Sequence, residues 1–374
     1  MASQAAEQLD LAIPEGKRQS TSETTQMESV SRADQPMTTA DVNVDATNTN
    51  ATAELSRAAR YGDVLVVQQL IAAGANVNAT NNFGDTALMK AAIGGHDPCM
   101  QQLIAAGADI NATNKGGGTA LIVAASYGHD SGVRQLIAAG ANVNAIDNGG
   151  GTALTMAACR GHGPVVQQLI AAGANVNVVD NDGITALIWA ACHGHGPVVQ
   201  QLIAAGANVN AIDNVGDTVL IMAACRRHGP VVQQLIAAGA NVNATNNFGD
   251  TALMKAAIGG HDPCMQQLIA ASADINATNK WGDTALMKAV EYRHDSCVRQ
   301  LIAVGANINA VDVNGETALI QAARGGRDSG ARQLIAAGAN VNIANRKGET
   351  ALTMAVRTRR DSCAELLRAA GARE

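Results

Sequence analysis

Residues 81–113 have the sequence NNFGDTALMKAAIGGHDPCMQQLIAAGADINAT, and similar segments fill most of the chain. The string Thr-Ala-Leu, once Thr-Val-Leu, recurs nine times, and every step is 33 residues. These strings begin at Thr86, Thr119, Thr152, Thr185, Thr218, Thr251, Thr284, Thr317 and Thr350. A fixed period of this length indicates a repeat architecture, in which each repeat buries its apolar face against its neighbours.

Each part of the repeat has a physical role. Gly84 lies in a tight turn where φ is expected to be positive. Thr86 then caps a short first helix, to which Leu88 contributes an apolar face. Pro98 falls in the first turn of a second helix, where its missing N–H costs nothing, and Gly107 ends that helix. The repeat therefore predicts a helix-turn-helix unit.

This pattern resembles the ankyrin repeat. The period, the G-x-T-x-L opening, the A-A pair, the G-H step and the G-A-[DN]-[VI]-N ending match over residues 53–374. One departure recurs, because the family's T-P-L-H lacks its Pro and His here, where Ala87 and Met89 stand in the first full repeat. The resemblance implies an all-α solenoid of stacked helix-turn-helix units with β-hairpin or loop tips.

Three segments are predicted along the chain. Residues 1–40 form an acidic, Ser/Thr-rich tail that we expect to be disordered, because it has little apolar surface to bury. Residues 41–52 are interpreted as a half-repeat hairpin or a linker. Residues 53–374 are predicted to hold ten repeats whose first and last members are caps, with Arg368 replacing an apolar residue in the last. We expect the array to end where the chain ends.

An exact internal copy is also present. Residues 66–106 recur at 231–271, and the match resumes until Lys115 and Lys280 after one difference, Gly107 against Ser272. Glycine adopts positive φ without strain and serine does not. We therefore expect the helix end at Ser272 to be locally weaker than its copy.

Composition excludes several classes of function. The formal net charge is −6, and residues 1–52 hold eight acidic and three basic side chains, so the repeats are nearly neutral. They lack the basic field of a nucleic-acid-binding protein. No apolar run of about 18 residues or signal-peptide core predicts membrane insertion or secretion. Seven cysteines without a CxxC pair favour a reducing compartment. We expect a cytoplasmic protein, with delivery into a host cell or the nucleus as open alternatives.

Histidine and cysteine recur at fixed repeat positions. Seven of eight histidines share one position: His96, His129, His162, His195, His228, His261 and His294. Neighbouring repeats lie about 10 Å apart, too far for shared zinc ligands at about 2 Å from the metal. The resemblance instead implies that this histidine ties the turn between the helices together. His193 with His195 stays open as a metal site, and Cys192 with His193 as a nucleophile.

Cys159, Cys192 and Cys225 occupy a position that is variable in the family, so we expect accessible thiols there. No P-loop, GxGxxG or GxSxG motif is present in a suitable context. We therefore predict no enzyme activity and no cofactor.

The resemblance places the ligand surface at the tips and on the inner face of the first helix. All seven aromatic residues fall on three repeat positions in these regions, where they either anchor a partner or fill gaps between repeats. The predicted partner-binding residues are Tyr61, Phe83, Lys90, Tyr127, Arg160, Trp189, His193, Arg226, Phe248, Lys255, Trp281, Lys288, Tyr292, Arg324 and Arg357. Acidic tip residues are expected to alternate with the cations: Asp85, Asp217, Asp250, Asp283, Glu316 and Glu349.

These features favour a monomeric protein-interaction scaffold or adaptor, because aromatic side chains are enriched among the dominant contacts of protein interfaces. The partner is expected to be a protein, without nucleic acid and without membrane insertion. The alternative is a host-directed bacterial-type effector or a regulatory inhibitor with a targeting tail.

Overall fold

The computed structural model describes residues 48–373, and there the chain is a series of paired short helices. Two compact units divide between Asn181 and Asp182. We name residues 48–181 unit 1 and residues 182–373 unit 2. In both, the first helix of each pair is called inner and the second outer.

Unit 1 contains four helix pairs. They are α1 (Asn48–Tyr61) with α2 (Val64–Ala72), α3 (Ala87–Gly94) with α4 (Asp97–Ala105), α5 (Ala120–Tyr127) with α6 (Asp130–Ala138), and α7 (Ala153–Arg160) with α8 (Gly163–Ala171).

Unit 2 contains six pairs. They are α9 (Ala186–Cys192) with α10 (Gly196–Ala204), α11 (Val219–Cys225) with α12 (Gly229–Ala237), α13 (Ala252–Gly259) with α14 (Asp262–Ala270), α15 (Ala285–Glu291) with α16 (Asp295–Ala303), α17 (Ala318–Gly325) with α18 (Asp328–Ala336), and α19 (Ala351–Arg357) with α20 (Asp361–Ala369).

Local chemistry explains where these helices begin and end. Thr86 is the N-cap of α3, and its hydroxyl accepts a hydrogen bond from the Met89 amide at 3.3 Å. The other eight threonines of the Thr-Ala-Leu strings cap their helices in the same way. Gly84 and Gly107 have φ values of 82° and 84°. The predicted turn, N-cap and helix-ending glycine are confirmed.

Small side chains allow the inner helices to pack closely. Ala91 and Ala92 of α3 are fully buried, as are Met100 and Leu103 of the outer helix α4. Each inner helix also packs against the next inner helix within its unit, so no repeat closes its core alone. The core of each unit is therefore a row of alanine and aliphatic side chains.

Two hydrogen bonds recur between successive repeats. The Asn78 side chain accepts from the Asp109 amide at 2.7 Å, and the Asn111 side chain accepts from the Asn142 amide at 2.8 Å. His129 donates from Nε2 to the Ile93 carbonyl of the preceding repeat at 3.0 Å. The regular spacing of these groups along the chain therefore reflects contacts between repeats.

One detail differs from the sequence-based expectation. Residues 48–52 form the beginning of α1 rather than a hairpin or linker, while residues 1–47 lie outside the described residues. In the described repeats the tips are turns closed by isolated antiparallel bridges, such as Thr80 with Thr86 and Thr245 with Thr251, in agreement with the expected β-hairpin or loop tips.

Candidate functional site

Unit 1 exposes three aromatic side chains at tips and inner-helix ends. Phe83 stands at a tip and is 58% exposed, and Tyr61 and Tyr127 are exposed at the ends of α1 and α5. The Arg160 guanidinium lies 5.8 Å from the centre of the Tyr127 ring. This distance permits a cation–π contact that orients both side chains. Four predicted residues of unit 1 are therefore accessible.

Unit 2 holds two stacked aromatic groups. The ring of Trp189 in α9 lies 5.6 Å from the ring of His193, the residue that follows α9, and the His193 and His195 rings are 5.9 Å apart. At two successive tips, Phe248 and Trp281 stack with 5.9 Å between their centres.

Trp189, Phe248, Trp281 and Tyr292 are half-buried, and His193 is exposed. All seven aromatic residues of the chain are exposed or half-buried in the structure. Stacking covers part of the ring surface in unit 2, while the remainder faces outward, so these rings form apolar surface that other molecules can contact.

The three predicted lysines do not belong to this surface. Lys90, Lys255 and Lys288 are only 5%, 6% and 3% exposed. Each ammonium group pairs with the aspartate at its own tip: Lys90 with Asp85 at 2.8 Å, Lys255 with Asp250 at 3.1 Å, and Lys288 with Asp283 at 3.0 Å. A buried lysine requires such a partner. The prediction that these lysines contact a partner protein is therefore corrected, and their role is to anchor the tip to its helix.

Most acidic side chains at the tips are also buried and bonded to other groups of the repeats. Burial raises the pKa of Asp85, but hydrogen bonds from Lys90 and Asn114 outweigh it, and the net pKa is lowered. Asp217 is buried and accepts a hydrogen bond from the Asn246 side chain of the next repeat at 2.8 Å. Glu316 is buried beside Arg324. Of the six acidic tip residues that were expected to be exposed between the cations, five are buried and Glu349 is half-buried. The expected alternation of exposed acidic and basic side chains is therefore not observed at these tips.

The predicted arginines remain accessible. Arg160, Arg226, Arg324 and Arg357 are all exposed. Arg324 pairs with Glu316 at 2.7 Å and Arg357 pairs with Glu349 at 3.0 Å, yet the Arg357 side chain is 60% exposed. One guanidinium has five N–H donors, so these pairs leave donors directed toward solvent.

The histidine that recurs at one repeat position bonds to the preceding repeat, whereas the sequence had suggested that it ties its own turn together. His228 Nε2 lies 3.0 Å from the Cys192 carbonyl, and His261 Nε2 lies 3.0 Å from the Cys225 carbonyl. Burial lowers the pKa of both imidazoles. Within residues 48–373, no group of three or more His, Cys, Asp or Glu side chains is arranged to hold a metal ion.

The cysteine prediction holds only in part. Cys159 and Cys225 are half-buried, whereas Cys192 is buried inside α9. Burial raises the pKa of the Cys192 thiol, although Arg226 opposes this. The His193 ring faces the Trp189 carbonyl, with Nδ1 at 3.0 Å from that oxygen. The prediction that the Cys192 thiol is accessible is therefore wrong. The buried environment of Cys192 also disfavours the thiolate that a nucleophile needs.

One group of residues with unusual backbone conformation was not predicted from the sequence. Arg227, Arg293 and Arg359 have positive φ values of 68°, 63° and 57°. They occupy the same repeat position as Gly95, the C-cap residue of α3, whose backbone is also left-handed. This substitution of arginine for glycine was visible in the aligned repeats.

In the described part of the chain, no helix is long and apolar enough to cross a membrane.

Comparison with known proteins agrees with this architecture. A family model described as ankyrin repeats (3 copies) matches residues 55–147, 133–213, 154–246, 220–312 and 296–373. The chain is similar to the crystal structure of the human ASB11 ankyrin repeat domain, with 28% identity and a TM-score of 0.54, over 59% of this chain and 98% of that chain. No curated protein matches. With its repeats matched from residue 55 to residue 373, the chain belongs to the ankyrin repeat family.

Proposed function

We propose that the chain is a protein-interaction scaffold or adaptor whose tips and inner-helix ends bind a partner protein. Ankyrin repeats are in general protein–protein interaction modules, and the family membership supports that class. The observation that carries the proposal is the placement of the aromatic residues, all of which are exposed or half-buried at the tips and on the inner helices. Large apolar side chains kept at accessible positions favour a binding surface.

Both units contribute candidate contacts. Unit 1 offers Tyr61, Phe83 and Tyr127, and unit 2 offers Trp189 with its stacked histidine and the Phe248–Trp281 stack. Aromatic rings provide a large contact area with few rotatable bonds, so their ordering on binding costs little entropy. We further propose that the protein acts as a monomer in the cytoplasm.

The test compares aromatic variants with matched apolar controls in the full chain. Tyr127→Ala represents unit 1 and Trp281→Ala represents unit 2, while Leu65→Ala and Val304→Ala remove exposed aliphatic side chains located at outer helices. Proteins that bind each variant are captured from a lysate and quantified, and only variants whose melting temperature equals that of wild type are compared. We expect the aromatic variants to lose a common set of proteins that both controls retain. Equal capture by all four variants would contradict the proposed face.

A further inference from the structure

Three arginines of unit 2 occupy a backbone conformation that other repeats assign to glycine. At this corner between inner and outer helix, Gly194, Gly260 and Gly326 have φ values of 74°, 68° and 61°. Arg227, Arg293 and Arg359 replace glycine in the alternate repeats, 66 residues apart. A side chain at positive φ strains the backbone. Strain of this kind is often retained at sites with a function.

The corner arginines face solvent beside further arginines. Arg227, Arg293 and Arg359 are exposed, although Arg227 also donates to the Gly259 carbonyl at 2.6 Å. Arg226, Arg324 and Arg357 precede the corner at the ends of three inner helices and are exposed too. We name these residues the arginine strip: Arg226, Arg227, Arg293, Arg324, Arg357 and Arg359.

The acids of unit 2 offset only part of the charge of this strip, in which Arg324 pairs with Glu316 at 2.7 Å and Arg357 pairs with Glu349 at 3.0 Å. Asp250 and Asp283 are paired with buried lysines, and Asp217 is bonded to Asn246. Glu291 lies two residues before Arg293 and pairs with Lys288 at 3.3 Å, whereas Asp295 and Asp361, two residues after Arg293 and Arg359, begin outer helices. There they face the positive ends of helix dipoles, which offsets part of their charge.

Apolar surface lies close to the strip. Tyr292 directly precedes Arg293, and the Phe248–Trp281 stack is at the opposite end of the inner helices. An inner helix of seven or eight residues is about 11 Å long. A single bound segment can therefore contact both the guanidinium groups and the rings.

We propose that unit 2 binds an acidic segment of a partner protein along the arginine strip. This inference rests on the proposed function and specifies the chemistry of the partner. Guanidinium groups bind carboxylates through paired hydrogen bonds. Nucleic acid fits less well, because the repeats as a whole are nearly neutral and lack the broad basic field that a long polyanion requires.

The spacing of the strip sets the length of the segment. Arg227 and Arg359 lie four repeats apart, which is roughly 40 Å at about 10 Å per repeat. An extended peptide covers that distance with about twelve residues. Carboxylates should recur about every six residues to meet successive corner arginines, with an apolar or aromatic residue between them.

The experiment selects peptides of about that length from a random display library against the immobilised full chain. Four arms are compared: wild type, Arg293→Glu with Arg359→Glu, Arg293→Gly with Arg359→Gly, and Arg299→Glu with Arg332→Glu. The last arm makes the same charge change at exposed arginines of outer helices. The glycine arm removes charge while it relieves backbone strain, so it separates binding from folding.

We expect wild type to enrich acidic peptides whose affinity falls with added salt. The corner Glu variant should bind them about tenfold more weakly, and the outer-helix variant within about twofold. The glycine variant should bind more weakly than wild type although its melting temperature is higher. Enrichment of neutral or basic peptides, or equal binding by the corner Glu variant, would overturn the inference.

Two further arms assign the occupant. Deleting residues 1–47 should leave peptide affinity unchanged, whereas a marked gain would show that the chain's own acidic N-terminal segment occupies the strip and would overturn a partner protein as the source. Tighter binding of a single-stranded oligonucleotide than of the acidic peptides would likewise overturn it. If neutral peptides are enriched and lost with Trp281→Ala, the proposed function stands and this inference fails. If no enriched peptide depends on Trp281 or the strip, the proposed function fails as well.

Discussion

Ser272 and Gly107 occupy the same place in two copies of one sequence, and both have left-handed backbones, with φ values of 64° and 84°. Each residue follows the end of an outer helix, α14 for Ser272 and α4 for Gly107. The 41 residues before them, 66–106 and 231–271, are identical. The pair is therefore an internal control for the cost of a Cβ atom at positive φ.

Ser272→Gly is expected to stabilise unit 2 by about 1 kcal/mol, because strain at positive φ is relieved and only part of the gain is lost to the greater freedom of glycine when unfolded. Gly107→Ser should destabilise unit 1 by a similar amount. Chemical denaturation gives the free energies, and hydrogen exchange at the ends of α14 and α4 gives the local effect. Equal stability of all three proteins would show that the serine is unstrained.

The Asp250–Lys255 pair provides a second prediction. Both side chains are nearly inaccessible and their charged atoms are 3.1 Å apart. Lys255→Met leaves the buried Asp250 carboxylate without its ammonium partner, so we expect a loss of about 3 kcal/mol in the free energy of unfolding. Asp250→Asn combined with Lys255→Met should recover much of that loss. If the single and double variants are equally destabilised, packing of the lysine stem, and not its charge, is responsible.

Local chemistry predicted the fold because its determinants lie close in sequence. Thr86 caps a helix through an amide three residues away, and Gly84 needs only its own backbone freedom. The burial of Lys90 could not be predicted in this way. It depends on Asp85 across the cap and on Asn114 of the next repeat, which donates to Asp85 at 2.8 Å.

The same distinction applies to the candidate site. The accessible positions of Tyr127 and Phe83 followed from the repeat pattern, because their tip and helix-end positions are variable in the family. The partner of His129 did not, since its ring bonds to the carbonyl of a residue 36 positions earlier. The left-handed Arg293 was missed although its alignment with Gly95 was sufficient to find it.

Stability should depend on pH through His228 and His261. Burial lowers the pKa of both below the ordinary value of 6.5, and Arg227 beside His261 acts in the same direction. As pH falls below about 6.5, the unfolded chain takes up protons that the folded chain does not, so the free energy of unfolding decreases. The decrease should continue until pH reaches the folded-state pKa values.

Denaturation at a series of pH values measures this slope. In the double variant His228→Asn with His261→Asn, the free energy of unfolding should depend less on pH between pH 7 and the folded-state pKa values. The double variant should also be less stable at neutral pH, because two hydrogen bonds to backbone carbonyls are weakened. A slope that survives both substitutions would mean that other groups carry the dependence.

Thiol reactivity should follow burial. Burial raises the pKa of Cys99 and Cys363 to about 11, and burial with the nearby Asp262 carboxylate raises the pKa of Cys297 to about 12. Because the thiolate is the reactive form, these three cysteines should be alkylated only after unfolding. Half-buried Cys159 should react first in the native protein, and buried Cys192 more slowly. Iodoacetamide labelling followed by peptide mass spectrometry measures each rate, with a denatured sample as the control. Faster labelling of Cys192 than of Cys159 would contradict the structure and revive the nucleophile hypothesis for Cys192 and His193.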